Sequence, residues 1–246
     1  MRSRDLAWDG CLNVRDLGGH RTEDGLETRW RSVVRADSVR ALTDAGWESL
    51  VAHGVERIVD LRSHGEVAAD PPQDVPIEVV HVSVLAEQGD PVWEEIERVA
   101  GSDPGRETEI FYLESLRRWG DRFAEAVAAV AHASQAPVVV HCQGGRDRTG
   151  LVAALLLRLA GVSREGAAAD YALSSARLEP RWRRWVDEAP DEEERERRVR
   201  LSATPAPAML GTLAALEREH GSAAGFLRAH GLSDESVVRA RARLRP

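Results

Sequence analysis

The chain has 246 residues, 43% of them apolar, and a formal net charge of −8. That is enough for one well-filled domain, and it is unsuited to general nucleic-acid affinity, which calls for a basic surface. All 33 basic side chains are arginine, so there is no Walker lysine and no Schiff-base lysine, which excludes nucleotide hydrolysis by that loop and pyridoxal chemistry.

The N-terminus, Met1-Arg2-Ser3-Arg4-Asp5, lacks the apolar core of a secretion signal. Two cysteines, Cys11 and Cys142, one of them needed as a thiolate, fit a reducing compartment. A cytoplasmic location is expected, with export lacking a visible signal as the alternative. Ser32 to Arg35 predicts a first strand and Thr43 to His53 a helix opened by a threonine cap before Asp44. Arg57 to Leu61 predicts a buried strand, and the alternation over residues 77 to 84 a further one. Pro91 to Ala100 and Glu107 to Ala133 predict helices split by the turn-rich stretch at 101–105. The most apolar run, Leu151 to Val162, is short and carries Arg158, so no stable membrane insertion is expected.

Residues 141 to 150 read His-Cys-Gln-Gly-Gly-Arg-Asp-Arg-Thr-Gly between the apolar runs Pro137 to Val140 and Leu151 to Leu157. A buried strand, a glycine-bearing turn and a helix start are written there in succession. A loop that curls back between Cys142 and Arg148 aims its backbone N–H groups at one point, which makes an anion site. Amide dipoles, a helix N-terminus and a guanidinium all favour the thiolate of Cys142 over the thiol, while Arg148 can hold phosphoryl oxygens bidentately. Gln143, Gly144, Gly145, Arg146, Thr149 and Gly150 complete the cradle. Gly144 and Gly145 let the backbone approach the ligand and adopt positive φ; Thr149 caps the helix or donates to the Cys142 sulfur; His141 either orients the loop or is a satisfied structural histidine. Asp147 is a general acid if it is protonated beside the leaving oxygen; otherwise it faces away and pairs with an arginine. No metal and no cofactor is expected, since Cys11 and Cys142 stand far apart and the eight histidines show no zinc-like ligand spacing.

These residues at these offsets resemble the signature of the cysteine-dependent protein tyrosine phosphatase superfamily, and in particular an atypical bacterial branch with the loop His-Cys-x-x-Gly-Lys-Asp-Arg-Thr-Gly. Further segments are similar to that branch: Asn13 to Gly19, Val34 to Asp37, Ile58 to Arg62, Asp170 to Ser174 and Gly221 to Leu227. The resemblance implies hydrolysis of phosphotyrosine and, as in several members, of phosphoserine, phosphothreonine and phosphoinositides. Asp147 then carries over as general acid, with Asp37 as runner-up. Arg146 stands where the branch has lysine, and arginine's planar fork does not reproduce the compact ammonium. The expected fold is α/β, a mostly parallel sheet flanked by helices with the ligand site at the carboxyl ends of its strands. One phosphatase domain spans 1–246, with extra C-terminal helices from 204 supporting the sheet.

Around the loop, Asn13, Arg15 and Asp16 either brace it, with Arg15 and Asp16 paired, or form an ordinary turn. Asp60 and Arg62 contact the site or form a structural ion pair. Ser163 to Tyr171 predicts another helix. Residues 177–200, with Trp182 and Trp185 and dense mixed charge, read either as solvated helices laced by local ion pairs or, by the resemblance, as a helical lid that guards the thiolate. Cys11 either forms a protective disulfide with Cys142 or is a small apolar residue. The expected reaction is two-step phosphomonoester hydrolysis on a phosphorylated protein. The alternatives are a phosphoinositide substrate with the same machinery and a phosphate-binding module without turnover.

Overall fold

A computed structural model describes residues 2–101 and 106–245. Five strands form one sheet in the order β1-β2-β5-β3-β4: β1 Arg15–Asp16, β2 Val33–Ala36, β3 Arg57–Asp60, β4 Glu78–His81 and β5 Val138–His141. All neighbours are parallel except β1, which runs antiparallel on the β2 edge. The mostly parallel α/β architecture expected from sequence is therefore present. The central strand β5 is Val-Val-Val-His and buried throughout, as befits a strand covered on both faces. Alternation divides its side chains: Val138 and Val140 enter the larger core, and Val139 enters the smaller one on the other face, with Val34 and Ile58 from the flanking strands.

Helix α1, Asp44–Ala52, lies with the smaller core, and Thr43 caps it by accepting the Gly46 N–H at 3.3 Å. Helices α2, His64–Ala69, and α3, Val92–Ala100, follow. The larger core is built on α4, Glu107–Ala131, and α5, Asp147–Leu159. The stretch from Asp147 to Leu159 is buried nearly all round beyond its first turn, which is why it shows no amphipathic stripe. Helix α6 runs Arg164–Asp187, α7 Glu192–Ser202, α8 Ala206–His220, α9 Ala223–Ala229 and α10 Asp234–Leu244.

Several boundaries differ from the sequence reading. The strand expected at 32–35 lies one residue later, and that over 77–84 shortens to Glu78–His81. Helix α4 is kinked at Trp119, where φ is −127° and ψ 28°. The change of composition at Arg177 is no break: α6 continues to Asp187 through Pro180. The shift there is from a buried to an exposed helix face. The C-terminal helices support the helix layer rather than the sheet, with α8 against α4 and α6, and α10 against α4 and α5. Of the turn expected at 101–105, residues 102–105 lie outside the described residues. Among the described residues no helix is long and apolar enough to cross a membrane.

Candidate active site

The loop from Cys142 to Arg146 joins the carboxyl end of β5 to α5, at the position where a parallel sheet places its ligand. The carbonyls of Gln143, Gly144 and Gly145 are held from outside the loop. Gln143 O accepts from Arg181 Nη1 at 3.1 Å and from the Ser38 N–H at 3.2 Å. Gly144 O accepts from Asn13 Nδ2 at 3.4 Å, and Gly145 O from Asn13 Nδ2 at 2.9 Å and Arg35 Nη2 at 2.8 Å. No cis peptide occurs among the described residues, and in a trans peptide the N–H points opposite to the C=O. The amides of Gly144, Gly145 and Arg146 are thus turned to the inner side of the loop. Successive inward N–H groups make an anion cradle.

Gly145 is required on two counts: its φ is +63°, and a Cβ there would lie 2.5 Å from Ala36 O. Gly144 needs neither exemption. Its φ is not positive, and a Cβ would meet only Arg146 Cβ at 3.9 Å, which corrects the expectation for that residue. Helix α5 begins at Asp147 with Arg146 as its cap position, so Thr149 lies within the first turn and not at the cap. Its hydroxyl is buried without a hydrogen-bond partner.

Cys142 is buried and free; Cys11 is half-buried and also free, its thiol donating to Ser38 O at 3.4 Å and joining no disulfide. Burial, then Asp37, pushes the Cys11 thiol well above its ordinary range. Arg148 is gripped end-on by Glu66: Nη2 donates to Oε1 at 2.9 Å and Nη1 to Oε2. Burial works against the charge of Arg148, but the Cys142 sulfur and Glu66 more than offset it and raise its pKa. Glu66 is fixed in turn by a capping box at α2, accepting the Ser63 N–H at 2.8 Å while Ser63 Oγ accepts the Glu66 N–H at 3.2 Å. The sequence reading missed Glu66; its one signal is Ser63-x-x-Glu66, a capping-box pattern.

Asp147 faces Arg146 and two tyrosines. Arg146 Nε donates to both its oxygens at 3.0 and 2.9 Å, Tyr112 O–H donates to Oδ1 at 2.6 Å, and the hydroxyls of Tyr112 and Tyr171 are 2.7 Å apart. It does pair with an arginine, yet it remains at the loop. Arg146 also lies beneath the Trp182 ring, 5.6 Å from its centroid.

The braces differ from the expected set. Neighbours on a strand point to opposite faces, so Arg15 and Asp16 cannot pair. Arg15 reaches Asp170 at 2.9 Å and Asn13 Oδ1 at 2.6 Å, while Asp16 accepts the Gly18 and Arg31 N–H groups. Asp170 also takes Arg35 at 2.6 Å, and all three charges are buried. Burial alone would push the Asp170 carboxyl up, but Arg15 and Arg35 hold it well below the usual carboxylate range; burial and Arg35 bring Arg15 down to about 10. Asp37 is fully buried, accepting the Leu12 and Asn13 N–H groups and Arg181 Nη2 at 2.9 Å. Asp60 and Arg62 form a two-pronged pair with each other, 2.8 Å at its closest, and His141 lies 3.6 Å from Asp60 with Nδ1 against its neighbour's carbonyl, Cys142 O. Burial lowers the pKa of His141, so its ring is a neutral spacer.

Asp170→Asn strands two buried guanidiniums. It is expected to lose roughly 3–5 kcal/mol of stability at neutral pH, the cost of breaking a buried pair, read by urea unfolding. Because the folded carboxyl titrates low, its contribution is present above the unfolded carboxylate pKa and is lost as pH falls through the folded value. A loss under about 1 kcal/mol, the size of an exposed pair, contradicts this.

The tyrosine phosphatase family model matches residues 6–246. A tyrosine-protein phosphatase of Nostoc commune is 28% identical over 227 residues, 86% of this chain and 73% of that protein. The triple specificity protein phosphatase PtpB of Mycobacterium tuberculosis is 28% identical over 277 residues, 98% of each chain. The crystal structure of P. aeruginosa TpbA is 19% identical with a TM-score of 0.31, covering 74% of this chain and 86% of that one. With nearly its whole length matched, this chain belongs to the tyrosine phosphatase family and is a phosphoric monoester hydrolase.

Proposed function

We propose that Cys142 is the nucleophile of a two-step hydrolysis of phosphotyrosyl protein. The thiolate attacks phosphorus in line, an S–P bond forms, and the bond from phosphorus to the leaving oxygen breaks as Asp147 gives that oxygen its proton. Arg148 and the inward amides of Gly144, Gly145 and Arg146 stabilise the negative charge spread over the phosphoryl oxygens. Water then attacks phosphorus, gives its proton to the Asp147 carboxylate, and releases inorganic phosphate and the thiolate. The observation that carries this reading is the set of loop carbonyls turned outward beside Cys142 and Arg148.

The name of the M. tuberculosis relative supports an extension to phosphoserine and phosphothreonine. Protein esters are favoured over phosphoinositides because Arg146 is engaged by Asp147 and covered by Trp182, and so is not extended toward a second phosphate. The outer half of α6, together with α7, acts as a lid. Arg181 latches it to Gln143 O and Asp37, and Trp182 sits on Arg146. Pro180 lacks the N–H that would continue the helical ladder, so the hinge lies beside the latch. The exposed ion pairs of this segment, such as Arg183 with Glu179 and Arg184 with Glu188, contribute little to holding it. A reducing cytoplasm suits the thiolate.

The test is Asp147→Asn. Hydrolysis of phosphotyrosyl or alkyl esters, whose leaving oxygens need a proton, should slow by roughly 10² to 10⁴. An activated aryl phosphate should suffer much less. An equal loss for both substrates assigns Asp147 to holding the loop and removes it as the acid.

A further inference from the structure

A hydroxyl has one proton. Tyr112 gives its proton to Asp147 Oδ1 at 2.6 Å, so in the 2.7 Å contact between the two tyrosines the donor is Tyr171. Both phenols are fully buried, on α4 and α6, and their rings meet edge to face at 5.8 Å. The proton order Tyr171 to Tyr112 to Asp147 forms a chain in which each bond strengthens the next, and it ends on a carboxylate.

We infer that Tyr112, backed by Tyr171, is a positioning residue that aims the Asp147 carboxyl and, through its donated hydrogen bond, stabilises the carboxyl's charged form. This rests on the proton-donor role of Asp147 proposed above. The carboxyl has two oxygens; Tyr112 takes Oδ1, and Arg146 Nε spans both. The oxygen free of a phenol is Oδ2, and that is the one left to carry the proton to the leaving group. The other groups acting on this cluster are Arg148, which feels Asp147 from the same helix, and Arg35 from β2, which acts on Tyr171. Burial, followed by the charge of Asp147, raises the pKa of Tyr112 far above its usual value, so it stays a donor throughout the working range.

The sign follows from what the bond stabilises. A donor to the carboxylate favours its charged form over the protonated one; removing the donor favours the protonated acid. In Tyr112→Phe the basic limb of kcat/KM for a phosphotyrosyl peptide should therefore move upward by about one pH unit, the scale of one hydrogen bond to a charged group. Tyr171→Phe should shift it the same way by less, and it decides the matter if the first variant fails to fold. Titrating the Asp147 carboxyl by carbon NMR in Cys142→Ser, with and without Tyr112→Phe, should give the same shift without turnover. If Asp147→Asn does not separate good from poor leaving groups, the acid assignment falls. If it does, and the phenylalanine variants leave the limb and the NMR midpoint in place, the acid stands and the role of Tyr112 is overturned.

Discussion

Cys142→Ser is expected to lose turnover by about six orders of magnitude, the scale on which removal of a nucleophile acts when its partners work as a unit, while still binding inorganic phosphate. The hydroxyl is a weak nucleophile near neutral pH, and nothing that makes the anion cradle passes through the sulfur. The loop carbonyls are held by Asn13, Arg35, Ser38 and Arg181, and the guanidinium of Arg148 is held by Glu66. Steady-state rates and calorimetric phosphate titration of the same preparation separate the two effects. Appreciable hydrolysis by the serine variant overturns the mechanism; loss of phosphate binding alongside turnover means that the sulfur shapes the cradle after all.

Arg148→Lys should cost roughly 10²- to 10³-fold in kcat, the range found when one preorganised donor to a developing oxyanion is removed. Glu66 occupies the end-on edge of the guanidinium, through Nη1 and Nη2, which leaves the edge along Nε for the phosphoryl group. Arginine can serve both at once because its donors form a rigid fork. A lysine ammonium is a point charge on a flexible stem; a carboxylate as close as Glu66 competes for it directly. A rate within a fewfold of the parent, measured on an activated aryl phosphate so that proton donation does not intervene, would show that bidentate geometry is irrelevant here.

What could be read from residue order was the local part of the site. The valines of β5, the two glycines and the apolar run of α5 lie within one continuous segment, and their physics is that of neighbours: a covered strand, a backbone turn, a buried helix. The partners that finish the site lie far off in the chain. Glu66 is 82 residues from Arg148, Tyr112 is 35 from Asp147, and Asp170 is 155 from Arg15. Nothing in the spacing around Tyr112 or Arg181 separates either from any other tyrosine or arginine on a helix. Adjacency in sequence even misled, since Arg15 and Asp16 look like a pair and yet stand on opposite faces of β1. The continuation of α6 past Arg177 was hidden for a related reason. Composition there reports exposure, and exposure changes without the helix ending.

The outward grip on the loop carbonyls has a thermodynamic consequence for the substrate. Fixing one residue of backbone costs about 1–2 kcal/mol in conformational entropy, and a glycine-bearing stretch such as Gln143-Gly144-Gly145 is the most expensive kind to order. Here that ordering is completed when the chain folds, through Asn13, Arg35 and the buried Asp170 beneath them. In the proposed reaction an arriving phosphoryl group meets donors already aligned, so its interactions with them are not diminished by the freezing of a floppy loop. The demand is transferred to folding, where three charges must be taken from water together. Rigidity at the cradle is thus drawn from the stability of the whole domain.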